Sequence, residues 1–179
     1  NIGEFRLREP DWLLFLSLLK ELEFGSLMKL IPSQATRKTE CETVLSSERL
    51  REITSSVRHE IAFDTETTGR NPVTARLVGL SFCIGNDHAY YIPLSHEYPG
   101  APVQADKSDV IRTLSAILED DTVEKIGHNL KYDMMILAHE GVGVKGELYD
   151  NMIASYLLNP NKPNHSLEEV AFERLKKKK

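Results

Sequence analysis

Two carboxylates separated by one residue, Asp64 and Glu66, are the residues of this sequence best suited to do chemistry. They follow the apolar run 61–63, which predicts a buried strand, and they precede a Thr-Thr-Gly turn. Because alternate residues of a strand point to the same face, both side chains should project side by side. Like charges held together need compensation, which a divalent cation with oxygen ligands supplies. The alternative is an exposed polar strand end, since roughly one such triplet is expected by chance in a chain of this length.

A third acid, Asp133, closes the segment Gly127-His128-Asn129-Leu130-Lys131-Tyr132-Asp133. The pattern predicts that a strand ends at Gly127, that Asn129 caps a helix, and that Asp133 lies in the first turn of that helix. Strand ends that feed helices gather at one edge of an α/β sheet, so Asp133 is predicted to face Asp64 and Glu66 across that edge. The alternative is an acid favoured there by the helix dipole.

Composition narrows the classes of function. The chain has 179 residues, of which 41% are hydrophobic and 27% charged, as in a globular domain of usual size with an appendage. Cys41 and Cys83 stand far apart, which argues against a disulfide scaffold or a structural zinc site. The net charge of −5 argues against nucleic-acid binding by bulk electrostatics but is compatible with a metal-dependent nuclease. No GxGxxG motif follows a predicted strand, and the sequence contains no HExxH or Gly-x-Ser-x-Gly motif, so metal-assisted hydrolysis is the reaction class that it favours.

The elements that must position these acids alternate between strands and helices from Thr43 onward. Strands are predicted at 44–45, 60–66, 76–84, 89–94 and 123–127, and helices at 47–58, 107–119, 130–139, 150–158 and from 166. Asn86-Asp87 is predicted to turn the strands 76–84 and 89–94 into a hairpin, and Asp150 is interpreted as an N-cap rather than a metal ligand. This order predicts an α/β fold with a mixed sheet that is flanked by helices.

The N-terminal part differs in character. Residues 11–30 are predicted to form one helix that Asp11 caps and that Gly25 and Ser26 break or bend. The polar stretch 31–42 is predicted to be a linker and domain boundary. The longest apolar run, 12–19, is too short to span a bilayer, so we expect no membrane association. The chain begins with Asn1 rather than Met and ends in four lysines just after a predicted helix, so we expect it to be a piece of a longer protein.

Five sequence blocks together resemble a known family. They are FDTETTG, LVGLSFCIG, YYIPLSHEY, GHNLKYD and YDNMIASYLLNP, in that order. They are similar to the 3′–5′ proofreading exonuclease domain of bacterial family A DNA polymerases (DNA polymerase I type), which belongs to the DEDD exonuclease superfamily. The resemblance implies a ribonuclease H-like fold for residues 43–179, truncated at its C-terminus. It makes 1–30 the tail of a preceding 5′-nuclease region, joined by the linker 31–42.

The resemblance also implies roles for particular residues. Asp64, Glu66 and Asp133 match the family's catalytic acids, which hold two Mg²⁺ ions, with Mn²⁺ or Zn²⁺ as possible substitutes. His128 stands where relatives often have glutamine. The residues that match positions near the bound DNA strand are Thr65, Thr67, His128, Asn129 and Tyr132.

The implied substrate is the 3′ end of single-stranded or frayed DNA, and the implied partner is a polymerase domain in the same parent chain. We expect a monomer that works in the bacterial cytoplasm, at the nucleoid. The family's third motif, Tyr-x-x-x-Asp, does not occur in this sequence, so we expect weak or no activity from the fragment itself and exposed apolar surface. Two alternatives stay open: a catalytically inactive scaffold or DNA-binding module of a polymerase, and a stand-alone RNA-trimming exonuclease of the same superfamily.

Overall fold

The computed structural model describes residues 11–22, 24, 27, 40–85 and 88–175. The chain divides into two compact units, Asn1–Thr36 and Arg37–Lys179. In the first unit, helix α1 (Trp12–Glu21) is capped as predicted, because Asp11 Oδ1 accepts a hydrogen bond from the backbone N–H of Leu14 at 3.0 Å. The helix ends at Glu21, earlier than predicted, and the predicted break at 25–26 lies outside the described residues.

The second unit is built around a six-stranded mixed sheet. Its strands are β1 (Glu40–Thr43), β2 (Glu60–Thr67), β3 (Leu77–Cys83), β4 (His88–Pro93), β5 (Glu124–Gly127) and β6 (Leu148–Asp150). Its helices are α2 (Ser47–Thr54), α3 (Lys107–Leu118), α4 (Leu130–His139), α5 (Asn151–Leu158) and α6 (Leu167–Leu175). The strand order is β1-β4-β3-β2-β5-β6, in which β3 runs antiparallel to both of its neighbours, β4 and β2, and the remaining pairs are parallel. The predicted α/β fold with its β3–β4 hairpin is confirmed, while the turn 86–87 lies outside the described residues.

The hydrophobic core lies on one face of this sheet. In β2, Ile61, Phe63 and Thr65 are buried, whereas the residues between them are more exposed. Leu80, Phe82 and Ile92 extend the buried face across β3 and β4, and the inward residues of α2 and α3 belong to the same cluster. Full burial of each large apolar side chain stabilises the fold by about 1.5–3 kcal/mol. Because buried and exposed residues alternate along β2, Asp64 and Glu66 lie on the face opposite the core.

Three short elements differ from the predictions, and one of them, strand β6 (Leu148–Asp150), lies where no strand was predicted. The first strand is β1 at Glu40–Thr43 rather than 44–45, so it begins inside the predicted linker. Its mostly exposed, polar residues are in a strand because their backbone pairs with β4, and no hydrophobic pattern marks them. Val44, predicted to lie in that strand, instead packs into the core. Helix α2 starts after Ser46, whose hydroxyl accepts from the backbone N–H of Arg49, and ends four residues before Arg58.

No helix in the described part of the chain has the length and apolar character needed to cross a bilayer.

Candidate active site

Asp64 and Glu66 lie side by side on the face of the sheet opposite the core, which we call the site face. Both are exposed, whereas Thr65 between them is buried. Across the antiparallel ladder, Asp64 pairs with Ser81 and Glu66 pairs with Gly79, so small neighbours leave room around both carboxylates. The predicted projection of the two acids to one face is confirmed.

The third acid, Asp133, is buried and bonded to β2. Its side chain lies in the first turn of α4 and the residue is 2% exposed. Its Oδ1 accepts a hydrogen bond from the backbone N–H of Thr65 at 2.9 Å and another from the Thr65 hydroxyl at 2.6 Å. These contacts are possible because β2 pairs with β5 through residues 60–62 and then turns its edge toward α4. Burial raises the pKa of Asp133, and the two hydrogen bonds from Thr65 oppose that rise.

The turn after β2 is fastened to α4 by Tyr132. The Tyr132 hydroxyl lies 2.6 Å from the Thr67 hydroxyl and donates to the carbonyl of Gly69. Thr67 also donates to that carbonyl, at 3.0 Å. A surface groove of about 530 Å³ runs along this junction, and it is lined by Thr65, Glu66, Thr67, Thr68, Gly69, Arg70, Asn129 and Tyr132. Four of the five predicted DNA-binding residues therefore share one groove with Glu66.

Asn129 occupies the N-cap position of α4, as predicted, but the expected capping contact from its side chain is absent. Asn129 adopts a left-handed conformation (φ 66°), and its side chain makes no capping hydrogen bond. Asp150 takes this role from the neighbouring strand: its Oδ1 accepts from the N–H of Asn129 at 3.0 Å, and its Oδ2 accepts from the N–H of Leu130 at 2.8 Å. The parallel register pairs Gly127 with Asp150 and so brings this carboxylate to the start of α4.

Asp150 also caps its own helix, as predicted. Its Oδ1 accepts from the backbone N–H groups of Met152 at 2.8 Å and Ile153 at 3.3 Å. One carboxylate therefore satisfies backbone donors at the starts of α4 and α5. The sequence predicted that Asp150 caps α5. Its contact with the start of α4 depends on the pairing of β5 with β6, which no local sequence pattern indicates.

His128 lies in a second depression, together with Asp64. This cavity of about 310 Å³ is floored by the site face of β2, β3 and β5 and bordered by Asn151 and Leu167. The His128 Nδ1 atom is buried and has no hydrogen-bond partner. Burial lowers the pKa of His128, against the opposing influence of Asp150 and a backbone hydrogen bond with His165. Asp64 and His128 thus line one concavity, Glu66 and the other four predicted DNA-binding residues line the other, and the buried Asp133 lines neither of the two.

The carboxylates at this site supply only part of the ligands that a Mg²⁺ ion takes. Within the described residues, no cluster of three or more His, Cys, Asp or Glu side chains has the arrangement of a metal site. Asp64 and Glu66 alone still match the way in which Mg²⁺ is commonly bound, through one or two carboxylates completed by water and substrate phosphate. The pair therefore supplies two of the ligands of a Mg²⁺ site, and water and substrate phosphate would supply the rest.

Comparisons with known proteins agree with this geometry. The sequence profile of a 3′–5′ exonuclease family matches residues 41–179. DNA polymerase I of Pseudomonas aeruginosa is 39% identical over 117 residues, which cover 64% of this chain and 13% of that protein. DNA polymerase I of Chloroflexus aurantiacus is 33% identical over 148 residues, which cover 81% of this chain and 15% of that protein. The chain thus spans about one seventh of the length of these two relatives.

Among solved structures, Brucella melitensis NrnC with bound Mg²⁺ superimposes with a TM-score of 0.58 at 26% sequence identity. The match covers 79% of this chain and 64% of that one. The sheet with its flanking helices is therefore of the ribonuclease H-like kind that nucleases use.

Proposed function

This chain belongs to the 3′–5′ exonuclease family, and from that premise we propose that it is the proofreading domain of a DNA polymerase I. Its substrate is the 3′ end of single-stranded or frayed DNA. The observation that carries the proposal is the pair Asp64 and Glu66, exposed side by side on the site face of the sheet next to an open groove. A mispaired end frays more readily than a paired end, so it supplies the groove with substrate.

Asp64, Glu66 and Asp133 are the residues that would hold two Mg²⁺ ions, for which Mn²⁺ or Zn²⁺ can substitute. When bound, such ions supply an activated water and neutralise charge on the scissile phosphate. Thr65 holds the Asp133 carboxylate in one orientation through its two hydrogen bonds. Both Thr65 hydrogen bonds end on Oδ1, so Oδ2 is the oxygen of Asp133 that would contact a metal.

The groove beside Glu66 would receive the terminal nucleotides. Tyr132 offers an aromatic ring on which a base can stack, and such stacking tolerates any base sequence. The hydroxyls of Thr67 and Tyr132 both donate to the Gly69 carbonyl, which keeps the turn after β2 in place while a strand enters. Asn129 lines the same groove, and His128 borders the cavity on the Asp64 side.

A polymerase domain in the same parent chain would supply this substrate. The two relatives described above are DNA polymerases I, and each is several times longer than the matched region. A polymerase that stalls on a mismatch releases an unpaired 3′ end to a nearby nuclease. The parent protein would act on DNA in the bacterial cytoplasm, at the nucleoid.

The second candidate function is a catalytically inactive scaffold, and one observation favours it: the described residues hold no three-ligand cluster. Calorimetric titration with Mn²⁺ separates the two. We expect saturable binding by the wild-type chain and its loss in Asp64→Ala. Glu48→Ala serves as the control, because Glu48 is an exposed acid of α2 in a long ion pair with Arg51. Absence of saturable binding, or binding that survives Asp64→Ala, would favour the scaffold.

A further inference from the structure

The segment after β4 holds a cluster of polar contacts that the proposed function has not used. The Tyr91 hydroxyl lies 2.5 Å from His96 Nε2. His96 is itself fixed twice by Gln104, which accepts from its backbone N–H at 2.9 Å and donates to its carbonyl at 2.8 Å. The ring of Tyr98 packs edge-on against the His96 ring, with centroids 5.7 Å apart. His96 therefore contacts the Tyr91 hydroxyl, and Gln104 and Tyr98 in turn hold His96.

This hydroxyl lies on the site face of the sheet, over Gly79, the residue that pairs with Glu66. Tyr91 pairs with Ser81, and Ser81 pairs with Asp64, so the three side chains share one face. The Tyr91 ring leans toward the next row, in which Gly79 pairs with Glu66. A Cβ at Gly79 would overlap the Tyr91 hydroxyl and lie 2.8 Å from two ring carbons. A glycine at position 79 thus makes room for the hydroxyl beside Glu66.

The hydroxyl is suited to act as a neutral hydrogen-bond donor. Burial, the negative charge of Glu66 and the neighbouring Tyr98 together raise the pKa of Tyr91. The phenol therefore keeps its proton at every pH at which the domain works. If His96 donates through Nε2 to the phenolic oxygen, the phenolic proton is free to point away from His96.

We propose that Tyr91 is a positioning residue for Glu66: its hydroxyl, held by His96, donates toward the Glu66 carboxylate and limits the orientations which that carboxylate takes. The inference rests on the proposed function, because it assigns Glu66 a metal. Glu66 is an exposed, flexible side chain next to a second negative charge, so a fixed donor on its flank reduces the entropy lost when a cation binds.

The test measures Mn²⁺ affinity by electron paramagnetic resonance of the free ion, on the chain as it stands. The variants are Tyr91→Phe, Glu66→Gln and the double variant. Tyr90→Phe is the matched control, since Tyr90 is the adjacent residue and its ring stacks on Phe82, with centroids 5.0 Å apart, on the opposite face. We expect Tyr91→Phe to weaken binding about three- to tenfold, as for loss of one hydrogen bond, and Tyr90→Phe to leave it unchanged.

The double variant tells whether Tyr91 acts through Glu66. We expect Tyr91→Phe to have no further effect once Glu66 is Gln. Wild-type affinity in Tyr91→Phe, or an equal loss in both backgrounds, overturns the inference while leaving the proposed function intact. Wild-type affinity in Glu66→Gln instead refutes a metal at Glu66, and the inference falls with it.

A second measurement does not depend on metal. Nitrogen-15 NMR of the His96 ring reports its tautomer, and the proposal requires the proton on Nε2. A neutral ring with its proton on Nδ1 overturns the proposal, because Tyr91 would then donate to His96 and not toward Glu66. Gly79→Ala provides an independent displacement of the hydroxyl and is expected to weaken Mn²⁺ binding at least as much as Tyr91→Phe.

Discussion

At the scale of single residues, the buried carboxylate of Asp133 receives two hydrogen bonds from one neighbour. Thr65 donates two hydrogen bonds to it across a sequence separation of 68 residues. The sequence alone predicted that Asp133 lies near the end of β2, because Glu66 and Asp133 each lie at or just after the end of a predicted strand. It could not show that Thr65 is its partner, since that contact requires β2 to leave β5 after Ala62.

Replacing Thr65 with Val tests this dependence. Val keeps the shape but removes the hydroxyl donor at 2.6 Å from a buried carboxylate, so we expect the free energy of unfolding to fall by about 1–3 kcal/mol at neutral pH. Thr65→Ser keeps the donor and should cost less than about 1 kcal/mol. Urea unfolding of the three proteins measures the difference. Equal losses in both variants would show that packing, and not the hydrogen bond, sets the cost.

The raised pKa of Asp133 gives stability a definite dependence on pH. An acid whose folded-state pKa is raised binds its proton more tightly in the folded state, so stability falls as the pH rises from the unfolded pKa through the folded one. Thr65→Val removes a contact that lowers this pKa and should raise the pKa further. Carbon-13 NMR titration of the Asp133 carboxyl in the metal-free chain checks this. A pKa below that of an ordinary aspartate would contradict it.

At the scale of elements, one carboxylate joins the starts of two helices. Asp150 ends β6, caps α5 and accepts from the first donors of α4. Helix α4 carries Tyr132 and Asp133, so the position of these two residues is set in part by a residue of another strand. The local pattern correctly predicted a cap at Asp150 and the N-cap position of α4 at Asn129, but it did not predict that Asp150 supplies the capping oxygens of α4.

Two substitutions separate the two capping roles. Asp150→Ser keeps an oxygen for its own helix but cannot reach α4, so we expect a loss of about 1–2 kcal/mol, against about 2–4 kcal/mol for Asp150→Ala. Hydrogen exchange of single amides is the decisive readout. The amides of Asn129 and Leu130 should exchange faster in both variants, and that of Met152 only in the alanine variant. Unchanged exchange at Leu130 in both would refute the double role.

The strands that the sequence predicted best are those with a buried face. In β2, β3 and β4 the hydrophobic period fixes both the element and its orientation, and the acids of β2 follow from it. Strand β1 escaped prediction because it is polar and mostly exposed, and its structure comes from its pairing with β4. Local patterns thus predict elements that the core requires, whereas edge strands and contacts between elements depend on the topology.

At the scale of the whole molecule, a large apolar groove lies open between α4, β6 and α5. Its volume is about 600 Å³, and its lining includes Met134, Leu148, Ile153 and Leu157. Exposed apolar surface of this kind was expected from the sequence. Such surfaces promote association unless they are covered.

Leu157, which is 75% exposed, offers a direct test of that surface. Because its side chain contributes little burial, Leu157→Lys should change the free energy of unfolding by less than about 0.5 kcal/mol. Because the added charges repel each other, the chain should remain monomeric up to a higher protein concentration, as measured by sedimentation in the analytical ultracentrifuge. A large loss of stability would instead show that Leu157 belongs to the core.

The central claim is that the site face of the sheet belongs to a metal-dependent 3′–5′ exonuclease. The measurement that tests it most directly is digestion of a single-stranded oligonucleotide, labelled at its 5′ end, by the wild-type chain and by Asp64→Ala in the presence of Mg²⁺. We expect a ladder that shortens from the 3′ end with the wild-type chain and that disappears in Asp64→Ala. A ladder that Asp64→Ala leaves unchanged, or one that shortens from the 5′ end, would contradict it.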